Sequence, residues 1–263
     1  MSTTQAKKNI FITGGASGIG FGIAQHMSDL GHRVIIADIN LSAAQNAVNK
    51  LIDTAGKSDE DALAVELDVS NASEIAALPE KLKSTPVDVL INNAGIQHVS
   101  RLEDFPADKW QLLINVMLVG PALLTQAFLP HMREQNFGRI INVGSIHSVV
   151  ASPFKSAYVA AKHGLLGFAK TLALETGDVD VTINTLCPAY VKTPLVEQQI
   201  AAQAKENNMS VDDVVNKIML EPMPKKAFIG VDELAETAAF LMGNAARNIT
   251  GQTLILDGGW TAR

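Results

Sequence analysis

Short runs of β-branched and aliphatic residues recur along the chain, separated by longer stretches in which apolar positions repeat every three to four residues. The runs fall at residues 9–13, 33–37, 63–67, 87–91, 139–143, 182–186 and 253–256. Most are continuously apolar rather than alternating, the pattern of strands in a parallel sheet covered on both faces. Helical periods lie between nearly every pair. The units are therefore βαβ, and right-handed crossovers wind them into an α/β, doubly wound sheet of about seven strands flanked by helices. No linker, short repeat or low-complexity tract interrupts the pattern, so residues 1–263 are expected to form a single domain.

Two helical stretches, 110–132 and 157–174, are apolar on more than one face. A helix of that kind is buried on both sides. One side can cover the sheet, and the other is expected to meet a second subunit, which predicts a homo-oligomer. Ahead of the last helix–strand pair lies an insertion at about 194–222. Within it Ser210 can cap a helix with Asp213 at its third position, and Val211, Val214, Val215, Ile218 and Met219 then share one face. A preceding helix groups Leu195, Val196, Gln199 and Ile200. A helical pair inserted here is expected to cover the site as a substrate lid.

Composition narrows the function. Apolar residues make up 47% of the 263, enough for a substantial core, and the formal charge is −6. No Lys/Arg cluster offers a footprint for phosphates, so nucleic acid is not an expected partner. Long-range steering would also oppose an anionic substrate, leaving its capture to local cations. The single Cys187 excludes an internal disulfide and reads as a small buried hydrophobe. The first nine residues are polar and run straight into a strand, and no uninterrupted apolar stretch has the length of a membrane span. A cytoplasmic protein without membrane partners is expected. The six histidines lack metal-ligand spacing, so no metal is expected either.

After the first strand comes Thr13-Gly14-Gly15-Ala16-Ser17-Gly18-Ile19-Gly20, opening a helix. Residues without Cβ let the backbone approach a pyrophosphate, while the helix N-terminus supplies N–H groups and positive dipole. This is the dinucleotide-binding turn of a Rossmann sheet. Asp38 closes the second strand, where a carboxylate would bond the adenosine ribose hydroxyls and repel a 2′-phosphate. No Lys or Arg stands at Ile39, Asn40 or in the glycine loop, and Arg33 reads as structural, so NAD is favoured over NADP. Asp68, after the third strand, is placed to bond the adenine edge.

The glycine loop, Asn92-Asn93-Ala94-Gly95, Ser145, Tyr158-x-x-x-Lys162 and Pro188 through Thr193 occur in the order and on the elements of one family. On these motifs the chain resembles the short-chain dehydrogenase/reductase family over nearly its whole length. The resemblance implies hydride transfer between a carbinol carbon and NAD, with Asn115, Ser145, Tyr158 and Lys162 as the catalytic group. It implies cofactor contacts from Gly14, Ser17, Gly18, Ile19, Gly20 and Asp38. Further contacts would come from Asp68, Val69, Asn92, Ala94 and Gly95, and from Tyr158, Lys162, Pro188, Val191 and Thr193. Independently, Tyr158 and Lys162 lie one helical turn apart and project from one face. Lowering a phenol from ~10 to ~7 takes about 4 kcal/mol, roughly the effect of one cation about 4 Å away in a partly screened site. Lys162, helped by the positive nicotinamide, is expected to supply it, and Ser145 to hold the substrate oxygen; the resemblance further implies a helix irregularity at Asn115 that supports a water relay to the lysine.

The substrate is written in other residues. His147 lies two past Ser145, Lys155 three before Tyr158, and Gln97 just beyond the Asn-Ala-Gly segment. Gln199 is an amide on the apolar face of the first lid helix, and Trp260 stands in the Gly258-Gly259-Trp260 tail. Together with Ser145 and Tyr158 they suggest a carboxylate clamp beside the catalytic tyrosine. This set closely resembles the bacterial D-3-hydroxybutyrate dehydrogenases within the family, implying a small 3-hydroxy or 3-oxo carboxylic acid substrate and a homotetramer. Ala189 and Tyr190 depart from that pattern, where glycine and tryptophan are usual. The alternatives are a 3-oxoacyl carrier-protein reductase, which would use NADP and show a basic docking surface, and a polyol dehydrogenase, which has no need of Lys155 and His147. A non-catalytic nucleotide-binding scaffold is opposed by the intact Ser145, Tyr158 and Lys162.

Overall fold

The structure is a computed structural model and describes residues 6–55, 58, 60–206 and 208–262. Seven strands form one parallel sheet in the order β3-β2-β1-β4-β5-β6-β7. They are β1 (Asn9–Thr13), β2 (Arg33–Asp38), β3 (Ala62–Glu66), β4 (Val89–Asn92), β5 (Gly138–Val143), β6 (Val181–Pro188) and β7 (Thr253–Leu256). The expected strands all form. Their ends shift by a residue or two, because ladder partners rather than local apolarity decide where pairing stops.

Although the strands read as unbroken apolar runs, their side chains still alternate between faces. Ile10, Ile12, Val34, Ile36, Val89 and Ile91 face one core. There they meet Ile23 and Met27 of α1 (Gly18–Asp29), Val48 and Leu51 of α2 (Leu41–Ala55), and Leu234 and Leu241 of α9 (Val231–Met242). Phe11, Ile35, Leu90 and Ile140 face the other. Their partners are Ile75 and Leu78 of α3 (Ala72–Lys81), Leu113 of α4 (Ala107–Ile114), Leu124 and Phe128 of α5 (Gly120–Glu134), and Ala161 and Ala169 of α6 (Ser156–Glu175). The winding reverses between β1 and β4, leaving a crevice at the carboxyl ends of these strands where α/β sheets bind ligands.

α4 and α5 are one helix broken by a π-turn at Asn115–Val119, in which the Gly120 N–H donates to the Asn115 carbonyl. The combined helix, Ala107–Glu134, is long and apolar enough to cross a membrane by length and composition alone. Here 44% of its most apolar stretch is buried against the sheet and neighbouring helices. Leu112, Val119 and, on α6, Leu174 keep apolar side chains exposed.

The insertion folds as α7 (Pro194–Glu206) and α8 (Val211–Val214), the latter running into a second π-turn at Val215–Met219. Ser210 caps α8 by accepting the Asp213 N–H at 3.1 Å. Val196, Ile200, Val214, Val215, Ile218 and Met219 pack with Tyr190 and Phe228. Val211 does not join them: it is 54% exposed, at the first helical position where the chain enters from solvent. The side chain of Leu195, also assigned to this face by periodicity, lies outside the described residues.

A Cβ at Gly120 would stand 2.4 Å from the Val69 carbonyl oxygen. Gly120→Ala is therefore expected to destabilise the protein by about 1–3 kcal/mol through overpacking, read as a lower urea midpoint. An unchanged midpoint would mean that the π-turn is not held by this contact.

Candidate active site

The glycine loop is held by side chains at the ends of β1 and β4. The Thr13 hydroxyl accepts the N–H groups of Asn93 and Ala94, each at 3.0 Å. Asn93 Nδ2 donates to the Thr13 carbonyl at 2.9 Å and the Gly14 carbonyl at 3.0 Å. Gly14 and Gly18 take left-handed φ values of +59° and +54°. A Cβ at Gly20 would lie 2.4 Å from the Gly14 oxygen. Ser17 begins α1 without a side-chain cap, leaving the first helical N–H groups for a ligand.

A cavity of about 410 Å³ opens beside this loop. Of the expected cofactor residues, Gly14, Ser17, Gly18, Ile19, Asp38, Asp68, Val69, Ala94, Gly95, Tyr158, Lys162 and Thr193 line it. The Asp38 carboxylate accepts N–H groups from Ala16 at 3.3 Å and Asn40 at 3.1 Å, which fixes it at the cavity edge. Asp68 also accepts the N–H and hydroxyl of Ser70 at 2.8 and 2.7 Å. Pro188 and Val191 border the smaller cavity described below. Asn92 does not reach either one. It is buried, and its amide donates to Asn142 Oδ1 at 2.9 Å across the β4–β5 pair, so alternation along β4 turns it from the crevice. Asn93, the next residue, faces the cavity instead. Ile39, Leu67 and Val116 also line the cavity, without any motif to announce them. The cradle fits a dinucleotide: a glycine turn with no room for Cβ, free helix-terminal N–H groups and a carboxylate at the far end.

The second cavity, about 130 Å³, shares Ile19, Gly144, Tyr158 and Thr193 with the first. Ser145 lies two residues beyond β5, where its Oγ accepts the His147 N–H at 3.1 Å and meets the Tyr158 hydroxyl. Lys162 is buried, and its ammonium donates to the Val143 carbonyl at 2.7 Å and sits 5.8 Å from the Tyr158 ring centre. Burial pushes the Tyr158 phenol up, against the lowering effect of the Ser145 bond. Burial also brings Lys162 down to about 8. The expectation that Lys162, helped by a positive nicotinamide, pulls the phenol toward neutrality is not met by Lys162 alone. The lysine is itself desolvated and engaged by Val143, so burial of the phenol dominates. Asn115 lines neither cavity: its side-chain oxygen accepts from Gln111 at 2.8 Å, and its carbonyl closes the π-turn.

Gln97, His147, Lys155 and Gln199 come together from four segments onto the wall of the smaller cavity, beside Ser145 and Tyr158. His147 is 4% exposed, with Nε2 3.4 Å from the Ser152 hydroxyl. Burial, then the nearby Lys155 charge, lowers its pKa to about 4, so it is neutral at physiological pH. Burial also lowers Lys155, which makes no ion pair within 4.0 Å among the described residues. Trp260 does not border the cavity. It stands behind it, stacked on Tyr190 at 6.1 Å and edge-on to His147 at 6.3 Å. Asp257 holds this tail by accepting from Gly259 N and both Thr261 donors. Ile146, Pro188, Ala189, Tyr190, Val191 and Val196 form the remaining wall, and Tyr190 was visible in the sequence only as a departure from a pattern.

A family model described as short chain dehydrogenase matches residues 8–204. The chain is 42% identical over 259 residues to the D-beta-hydroxybutyrate dehydrogenase of Rhizobium meliloti (strain 1021), covering 97% of this chain and 99% of the relative. It is 41% identical over 261 residues to the D-beta-hydroxybutyrate dehydrogenase of Cupriavidus necator, covering 97% and 98%. Among solved structures, L-sorbose reductase from Gluconobacter frateurii, complexed with NADPH and L-sorbose, superposes with a TM-score of 0.92 at 26% identity over 100% of both chains. The chain belongs to the short-chain dehydrogenase family. It is an oxidoreductase acting on a CH–OH group with a nicotinamide cofactor.

Because the folded pKa of His147 lies below its unfolded value, the unfolded chain takes up the proton first as pH falls from about 6.5 to about 4. Stability contributed by the neutral, buried ring is complete above that window and is lost through it. His147→Gln should flatten the decline in urea stability across this range; an unchanged slope would place the acid-sensitive group elsewhere.

Proposed function

We propose that the chain is an NAD-dependent dehydrogenase interconverting (R)-3-hydroxybutyrate and acetoacetate. The observation that carries this reading is the smaller cavity, where Lys155, His147, Gln97 and Gln199 face the Ser145–Tyr158 pair across a space sized for a short acid. The two bacterial relatives named D-beta-hydroxybutyrate dehydrogenase support the same substrate.

The helix-terminal N–H groups of α1 and the Gly14–Gly20 loop would hold the pyrophosphate, and Asp38 the adenosine ribose hydroxyls. Asp68 and Val69 would flank the adenine, with Pro188, Val191 and Thr193 at the nicotinamide end. A bound nicotinamide supplies the hydride acceptor or donor. NAD is preferred because a 2′-phosphate would meet the Asp38 carboxylate with no cation to neutralise it. Ser145 Oγ holds the substrate oxygen against Tyr158, which exchanges the proton. Protonated at rest, Tyr158 is ready to donate in the reductive direction. In the oxidative direction Lys162, anchored on Val143, is the adjacent cation that offsets the phenolate. Asn115 serves through its π-turn, on which a water relay to Lys162 can rest. At the acid end Lys155 supplies the positive charge, while neutral His147 and the two glutamines supply directional hydrogen bonds, with Trp260 bracing the wall. A charge-assisted bond there contributes about 1.5–3 kcal/mol. α7 and α8 act as a lid that excludes water. The protein works in the cytoplasm as a homotetramer, whose contacts cover the exposed apolar positions of α4–α6.

NADH formation should be seen with (R)-3-hydroxybutyrate, much less with the (S) enantiomer, and at least about tenfold less with 2-butanol, which lacks the carboxylate. Equal rates with acid and alcohol would refute the clamp. Tyr158→Phe should lower kcat by about 10²–10⁴-fold with NAD affinity preserved; retained turnover would overturn its role. Light scattering should give about four times the 28.0 kDa subunit mass, and a monomer would contradict the assembly.

A further inference from the structure

Phe154 has a φ of +65°, a left-handed conformation that bulky side chains seldom adopt and that usually marks a constraint. Its ring does not account for it. The side chain is 48% exposed, and its recorded ring neighbour is the Arg101 guanidinium at 5.6 Å. The constraint comes from the chain on either side. Ser152 is fixed where its hydroxyl meets His147 Nε2 at 3.4 Å. Lys155 is fixed where its carbonyl accepts the Val159 N–H at 2.9 Å, starting the helix that carries Tyr158 and Lys162. Only Pro153 and Phe154 join them. The proline ring locks φ at residue 153 and narrows the choices of Ser152 before it. The adjustable dihedrals are therefore concentrated at Phe154. In its left-handed conformation the Phe154 carbonyl accepts the Ser100 N–H at 3.0 Å. That bond ties the segment leading to Lys155 to the one that leaves Gln97, and both side chains face the smaller cavity.

We propose that the left-handed backbone at Phe154 is a positioning device that aims Lys155 into the substrate cavity and sets the enzyme's preference for acids over uncharged alcohols. This rests on the reading of Lys155 as the cation that meets the substrate carboxylate. Phe154 is a positioning residue and touches no reacting atom.

The test is the ratio of kcat/KM for (R)-3-hydroxybutyrate to that for 2-butanol. Phe154→Val, whose β-branched side chain opposes positive φ, should lower the ratio about tenfold by raising KM for the acid. kcat with 2-butanol and NAD affinity should stay at parental values. Phe154→Gly, which adopts positive φ freely, should keep the ratio within about twofold of the parent although it lacks the ring. Lys155→Met should lower the ratio by itself, and adding Phe154→Val to it should change nothing more. A parental ratio in Phe154→Val, equal impairment in Phe154→Gly, or additive losses in the double variant would each overturn the proposal. If Phe154→Val does not fold, Phe154→Ala takes its place with the same expectations. A Lys155→Met enzyme with the parental ratio would instead overturn the underlying reading of the clamp lysine.

Discussion

Thr13 and Asn93 stand at the ends of adjacent strands, where the winding of the sheet reverses, and hydrogen bonds join them through side chain and backbone. Everything at the crevice depends on that joint. It satisfies the polar groups left exposed where β1 and β4 diverge, and it holds the Gly14 carbonyl so that the loop stays open toward a ligand. Because Gly20 packs against the same carbonyl, the start of α1 is registered to the loop as well. The dinucleotide cradle is thus a rigid end of the sheet rather than a flexible turn.

Beside that cradle, desolvation governs the chemistry. Burial moves His147, Lys155, Lys162 and Tyr158 each toward the neutral form. A carboxylate beside Lys155 would favour its charged form, and a cationic nicotinamide beside Tyr158 would favour the phenolate. The Ser152–Pro153–Phe154 turn belongs to the same wall, since it joins His147 to Lys155, both of which line the smaller cavity.

The strands were legible because a buried parallel sheet demands continuous apolar runs, and the glycine loop because only glycine fits against Asn93 and the Gly14 carbonyl. Ser145, Tyr158 and Lys162 were legible from the order and spacing of motifs, Gln97, His147 and Lys155 from their places beside those motifs, and Gln199 from being an amide on an apolar helix face. Asn92 was misassigned because a motif gives neighbours without saying which side of the strand each faces. Trp260 was placed in the pocket, whereas the Asp257-held tail sets it one layer behind Tyr190. Val211 was misplaced because it is the first helical residue, where the chain enters from solvent. Val116, Ile39 and Leu67 carried no signal, since a cavity wall and a core position look alike in one dimension.

By itself the sequence determined the fold class and the glycine cradle, because periodicity and Cβ exclusion are local and act through neighbours in the chain. Tertiary structure decided which residues share a cavity, and in what protonation state. Gln97, His147, Lys155 and Gln199 meet only after βαβ crossovers bring separate segments to one end of the sheet. The depressed pKa of His147 and the raised one of Tyr158 follow from burial, a property of the surroundings rather than of the residue. The left-handed turn at Phe154 was equally invisible, because it arises from fixing both of its ends in space.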